Sequence, residues 1–228
     1  MSLFNFHTYH IDTEPCLLNV DTKDLLPSYP EHVRLSIGVH PWKVKEDWQD
    51  VLASVRKDAI REDVWAIGEC GLDKLHGEAL SLQMEAFRAQ IAIAEEVQKP
   101  MVIHCVRAFD ELLMLRRELE VSCVKEGGNE SGQARQPQPW VIHGFRGKPE
   151  QAKQLMTKGM LLSFGHQYNL ETLRSVFISS RPFYLETDDL HLSVRQIYEQ
   201  VARHLDVDVA HLSHLCDPRT TLFSRQIP

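Results

Sequence analysis

Four apolar segments of this chain each end in a side chain able to bind a metal ion: VWAIGE at Glu69, PMVIH at His104, WVIH at His143 and FYLETD at Asp188. A fifth, LFNFH, ends at His7. Taken singly, each is an ordinary hydrogen-bonded histidine or a solvated carboxylate. Jointly they form a pattern, because Glu, Asp and His are seldom buried unless paired or metal-bound. Mixed imidazole and carboxylate donors suit zinc, manganese, iron or, with more oxygen, magnesium. A carboxylate such as Glu69 can bridge two ions about 3.5 to 4 Å apart, and such a pair generates a hydroxide and clamps both oxygens of a displacement at phosphorus. The expected cofactor is therefore two divalent metal ions, zinc, manganese or magnesium. No Gly-rich phosphate loop, Ser-His-Asp arrangement or dinucleotide fingerprint competes with this reading.

Five ligands spread over the whole chain need a scaffold that gathers them. Short apolar runs alternate with amphipathic stretches, the mark of parallel strands joined by helical crossovers. The strand candidates are Leu3 to His7, Cys16 to Val20, Val33 to His40, Val64 to Glu69, Met101 to Cys105, Trp140 to Phe145, Met160 to Phe164 and Phe183 to Thr187. Between them, Leu80, Met84, Phe87, Ile91, Ala94 and Val97 form one helical stripe, Leu112, Leu115 and Leu119 a second, and Leu170, Leu173 and Phe177 a third. Eight strands with helices between them predict a (β/α)8 TIM barrel, one domain over residues 1–228, whose parallel strands present all their C-terminal ends at one mouth. Only Thr8 to Pro15 join the first two strands, too few for a crossover helix, so the barrel is expected to lack that helix. The segment Lys125 to Pro139, KEGGNESGQARQPQP, reads as a solvated loop on the opposite barrel face.

Composition bounds the function. A formal charge of -7 excludes broad non-specific attraction to polyanions, so a phosphodiester substrate must be held by cations and a few local basic groups. The five cysteines contain no C-x-x-C pair, which points to reduced thiols, with Cys70 and Cys105 as packing residues. The first residues lack the pattern of a secretory signal, and no run approaches a membrane span, so a cytoplasmic protein without membrane partners is expected. A barrel of this size can work as a monomer.

The blocks SIGVHP (Ser36 to Pro41), AIGECGLDK (Ala66 to Lys74), KPMVIHC (Lys99 to Cys105), VIHGFRG (Val141 to Gly147), LLSFG (Leu161 to Gly165) and YLETDD (Tyr184 to Asp189) occur in the order and approximate spacing seen in the TatD-like metal-dependent deoxyribonucleases. The chain resembles that family over most of its length. The resemblance implies a metal-dependent hydrolase barrel acting on DNA, often as an exonuclease. By position it implies Glu69 as the bridging ligand, His104 and His143 as ligands of one ion, and His7 as a ligand of the other. Asp188 would share that second ion and accept the proton of the attacking water. His40 resembles a residue near the substrate phosphate, and Arg107 is the nearest counterpart of a substrate-binding arginine.

The chain also departs from the family. The opening Asp-x-His-x-His reads here Asn5, Phe6, His7, Thr8, Tyr9 and then His10, so the second histidine is displaced. Strand alternation puts His7 and Tyr9 on one face, and His10 would reach the site only if the strand ends or bulges after Tyr9. The family arginine two places after His104 is replaced by Val106, with Arg107 one place later. Asp189 adds a negative charge beside Asp188. The expected activity is hydrolysis of DNA or another phosphodiester through a metal-activated water, with Asp188 and Glu69 catalytic. A binding protein with an incomplete metal site, and a metal hydrolase of another ester or amide, are the alternatives.

Overall fold

A computed structural model of the protein describes residues 2–125 and 136–224. Eight strands, β1 (Asn5–Thr8), β2 (Cys16–Asn19), β3 (Val33–Ile37), β4 (Val64–Asp73), β5 (Met101–Val106), β6 (Trp140–Ile142), β7 (Leu161–Phe164) and β8 (Phe183–Leu185), form one sheet in sequence order. Every neighbouring pair is parallel. A single bridge between Thr8 and Asp188 brings β8 back to β1, with Tyr9 N donating to the Asp188 carbonyl and Asp188 N to the His7 carbonyl, each at 3.0 Å. The sheet is thus a nearly closed barrel.

Crossover helices α1 (Trp48–Asp58), α2 (Leu80–Val97), α3 (Phe109–Lys125), α4 (Pro149–Thr157) and α5 (Leu170–Ile178) lie between strands from β3 onward, and α6 (Val194–Leu205), α7 (Val209–Leu215) and α8 (Pro218–Thr221) follow β8. The three helical stripes read from the sequence fall on α2, α3 and α5, and their residues lie in or against the outer core. No helix separates β1 from β2, as the short connection requires. The passage from β2 to β3 also lacks an α-helix and has only a 3-10 turn at Thr22–Asp24. Residues 126–135 of the Lys125 to Pro139 segment lie outside the described residues.

Alternation along the strands sorts the core into two layers. Leu17, Val102 and Val141 face the barrel interior, where they meet Phe4, Phe6, Trp65, Tyr184 and Phe223. Their neighbours Cys16, Leu18, Met101, Ile103, Trp140 and Ile142 face outward and pack with the helices. Phe223 plugs the N-terminal end of the barrel, its ring 5.0 Å from that of Trp65 and 6.4 Å from those of Phe4 and Phe6.

Two strands break the alternation, and both carry candidate ligands. Register shifts occur in the β1–β2 pairing between Asn5 and Thr8, and in the β4–β5 pairing between Ile67 and Cys70. A bulge of this kind re-aims a side chain. In β1 it lets the consecutive residues Phe6 and His7 both face inward. In β4 it turns Glu69 into the barrel, while the strand runs four residues beyond it to Asp73 instead of ending there as the sequence suggested. Glycine permits this: Gly68 and Gly71 have φ of 153° and 137°, and a Cβ on Gly71 would stand 2.1 Å from the His104 carbonyl oxygen.

Candidate metal centre

His7, Glu69, His104, His143 and Asp188 converge at the C-terminal mouth of the barrel. Glu69, 3% exposed, lies at the centre. Its Oε1 is ringed by three imidazole nitrogens, His143 Nε2 at 2.8 Å, His104 Nδ1 at 2.9 Å and His40 Nε2 at 3.0 Å. Its Oε2 faces His7 Nε2 at 3.2 Å and accepts the Tyr9 hydroxyl at 2.5 Å. Asp188 Oδ1 stands 3.6 Å from His7 Nε2, with a third of its side chain open to the mouth. Its backbone is left-handed, φ 57°, at the residue that closes the barrel.

Two of the histidines are backed by carboxylates. His104 Nε2 meets Asp73 Oδ2 at 3.1 Å, and His143 Nδ1 meets Glu186 Oε1 at 3.3 Å. Each arrangement fixes the ring and leaves the other nitrogen directed at Glu69, as in the carboxylate–histidine pairs of metal sites. Glu186 is fully buried and also accepts Gly144 N at 2.7 Å. His40 differs: its Nδ1 accepts Trp42 N at 3.1 Å, so its Nε2 carries the proton and donates to Glu69.

The electrostatics follow from this packing. Burial alone would raise the Glu69 carboxyl, but the attraction of His143 and hydrogen bonds from His104, His143 and His40 hold it well below the usual carboxylate range. Burial would lower His143, and Glu69 and Glu186 together push it well above the usual imidazole range. Burial raises Asp188 against the pull of His143 and His7. The Tyr9 phenol is raised by burial and by Glu69, so it remains protonated and serves as a donor.

The residues fit a cation. His7 is fully buried, yet neither of its ring nitrogens has a hydrogen-bond partner. An imidazole left so is rare unless something else binds it. Three groups have ligand atoms within 4.8 Å of one another: His7, Glu69 and His143; His40, Glu69 and His104; and His143, Glu186 and Asp188.

Other expectations are redirected. His10 turns away from the cluster, with Nε2 3.0 Å from the Asp189 carbonyl and its ring 3.9 Å from that of His191, so Tyr9 takes the place of the second histidine. Asp73 holds Trp42 and His104, the latter a direct neighbour of Glu69, whereas Lys74 points elsewhere and pairs with Glu111 at 2.8 Å. Arg107 stands exposed, with φ 53°, directly after β5. Sequence reasoning missed Glu186, Asn19 and Trp42. Glu186 was within reach, since it lies two residues before Asp188 on an alternating strand. Asn19, whose Oδ1 accepts Glu69 N at 2.7 Å, carried no such signal.

The family model described as TatD related DNase matches residues 8–216. The chain belongs to the TatD-related DNase family. It is 32% identical over 191 residues to a protein of Citrobacter koseri named 3'-5' ssDNA/RNA exonuclease TatD, covering 78% of this chain and 65% of that one. A metal-dependent hydrolase of Bacillus subtilis is 32% identical over 136 residues, 59% of this chain and 48% of its own length. The chain therefore spans about half to two thirds of the length of these two relatives. Among solved structures, a TatD homologue from Escherichia coli superposes with a TM-score of 0.68 at 18% identity, covering 93% of this chain and 86% of that one. A TatD-family hydrolase from Entamoeba histolytica gives 0.66 at 13% identity, covering 94% and 95%. Both share the barrel. Among the described residues, no helix is long and apolar enough to cross a membrane.

Proposed function

We propose that this TatD-family protein is a metal-dependent hydrolase of phosphodiester bonds, with DNA as its substrate. The observation that carries the reading is Glu69, a buried carboxylate whose two oxygens face two different sets of candidate ligands. On one side stand His104 and His143, on the other His7 and Asp188. Two divalent ions, zinc, manganese or magnesium, would be held there, with Glu69 between them. Bound ions of this kind lower the pKa of water and offset charge on phosphate oxygens.

The chain's own groups supply the rest. Asp188, partly open to the mouth, is the acceptor for the proton of the attacking water. Asp73 and Glu186 fix the His104 and His143 rings. His40, whose Nε2 proton is directed at Glu69, would lie beside the substrate phosphate, and the exposed Arg107 at the rim is suited to a neighbouring phosphate. The named activity of the Citrobacter koseri relative supports a nucleic-acid substrate.

Tyr9 favours a second reading of the metal count. Its phenol donates to the Glu69 oxygen that faces His7, where the family has an imidazole. The His7 and Asp188 position is therefore the weaker of the two, filled only at higher metal concentration. Elemental analysis of protein reloaded with manganese or zinc, followed by a nuclease assay with manganese, magnesium, zinc and cobalt, tests both points. Cleavage abolished by Glu69→Ala and by Asp188→Asn is expected. Metal retention without cleavage of DNA under any of these ions would sink the nuclease assignment, and metal-dependent turnover of a small ester or amide would replace it. Loss of all metal would favour a binding protein.

A further inference from the structure

Of the four tryptophans, Trp48, Trp65 and Trp140 are 7%, 6% and 0% exposed, whereas Trp42 is 52% exposed. Trp42 belongs to the 3-10 turn Pro41–Lys43 that directly follows His40. Its ring stands at the rim of the metal centre, 5.0 Å from the His40 ring, 5.8 Å from His104 and 5.1 Å from the exposed His76. The indole is not loose. Its Nε1 donates to Asp73 Oδ2 at 2.6 Å, the same oxygen that holds His104.

The support beneath the ring is itself fixed. Asp73 Oδ1 accepts Leu75 N and His76 N at 2.7 and 3.1 Å. The buried Gln83 accepts Asp73 N and donates to the carbonyls of Asp73, His76 and Glu78. Gly77 presses against the turn so closely that a Cβ there would stand 2.8 Å from the Pro41 carbonyl oxygen. A large aromatic face held rigid and left wet beside a reaction centre is unusual for a residue that otherwise gains by burial. A flat π-system arriving with the substrate would cover it at little entropic cost.

We propose that Trp42 is the stacking platform for a nucleobase next to the scissile phosphate, an inference that rests on the nucleic-acid reading above. The platform recognises the face of a base and no hydrogen-bonding edge, so it accepts single strands without preference for sequence. A paired base inside a duplex has no free face to offer it.

The test compares a short oligothymidylate with an abasic oligomer of the same length, using manganese-loaded enzyme. Stacking on one aromatic ring corresponds to about a 5- to 150-fold change in binding. Wild type should cleave the oligothymidylate with a KM lower than that of the abasic oligomer by a factor in that range. A phosphorothioate oligothymidylate should quench the emission of the exposed indole while the three buried tryptophans stay constant. Trp42→Ala should raise the oligothymidylate KM to the abasic level with a much smaller change in kcat. Trp42→Phe, which keeps a ring but loses the donor to Asp73, should recover most of the KM. A Phe variant as weak as Ala would mean that the hydrogen bond to Asp73 matters and the face does not, and an unchanged KM in Trp42→Ala with DNA still cleaved would also overturn the platform alone. If metal-loaded wild type neither binds nor cleaves either oligomer, the nucleic-acid reading falls and the platform with it.

Discussion

The two ends of the barrel are made from the same eight strands, yet their interiors differ in kind. At the N-terminal end Phe4, Phe6, Trp65, Tyr184 and Phe223 pack into an apolar plug. At the C-terminal end the buried His7, Glu69, Asp73 and Glu186 crowd together with the half-buried His143, and His7 is left without a hydrogen bond. The Tyr184 hydroxyl buried in the plug has a partner, Thr221 Oγ1 at 3.0 Å. The mouth gathers charge that the fold would not choose for stability, since buried ionisable groups cost free energy unless well paired. One end therefore stabilises the barrel and the other draws on that stability.

Mutations should separate the two ends. Asp188→Asn keeps the shape of the side chain and removes the proton acceptor, so kcat should fall about 10²- to 10⁴-fold while the unfolding midpoint moves little; turnover near the wild-type rate would remove Asp188 from the chemistry. Phe223→Ala should do the reverse, lowering stability by about 3–5 kcal/mol in urea unfolding and leaving the rate per folded molecule intact at low temperature. Smaller still is the effect of metal. Manganese at one hundred times its dissociation constant should add about 2.7 kcal/mol of stability to wild type, a gain that chelator reverses and that Glu69→Ala does not show. Last, Tyr9→His should tighten the weaker metal position at least about tenfold, or about 1.4 kcal/mol, by calorimetric titration; identical isotherms for the two proteins would deny Tyr9 its effect on metal affinity.

The contrast also explains what could be read from the sequence. His7, Glu69, His104, His143 and Asp188 stood out because such residues rarely end apolar runs, and the strand periodicity placed them at one mouth. The exact end of β4 was not legible, because the bulge around Gly68 keeps the strand going after Glu69 has turned inward. The orientation of His10 depended on the chain leaving the barrel after Tyr9, a consequence of the bridge to Asp188 some 180 residues away. Trp42 and Asp73 meet across 31 residues of sequence through one hydrogen bond, which no local spacing announces. The helix absent between β2 and β3 was hidden for a different reason: the thirteen residues between Asn19 and Val33 leave room for a short helix, and the 3-10 turn uses only three.

The bridge from Thr8 to Asp188 has a temporal side as well. Asp188 is made about 180 residues after His7, once the segments of all eight strands already exist. A growing chain can already carry Glu69, His104 and His143 while the half of the centre around His7 still lacks Asp188. Completion of the candidate centre thus comes late in synthesis, with the clasp that also shuts the barrel.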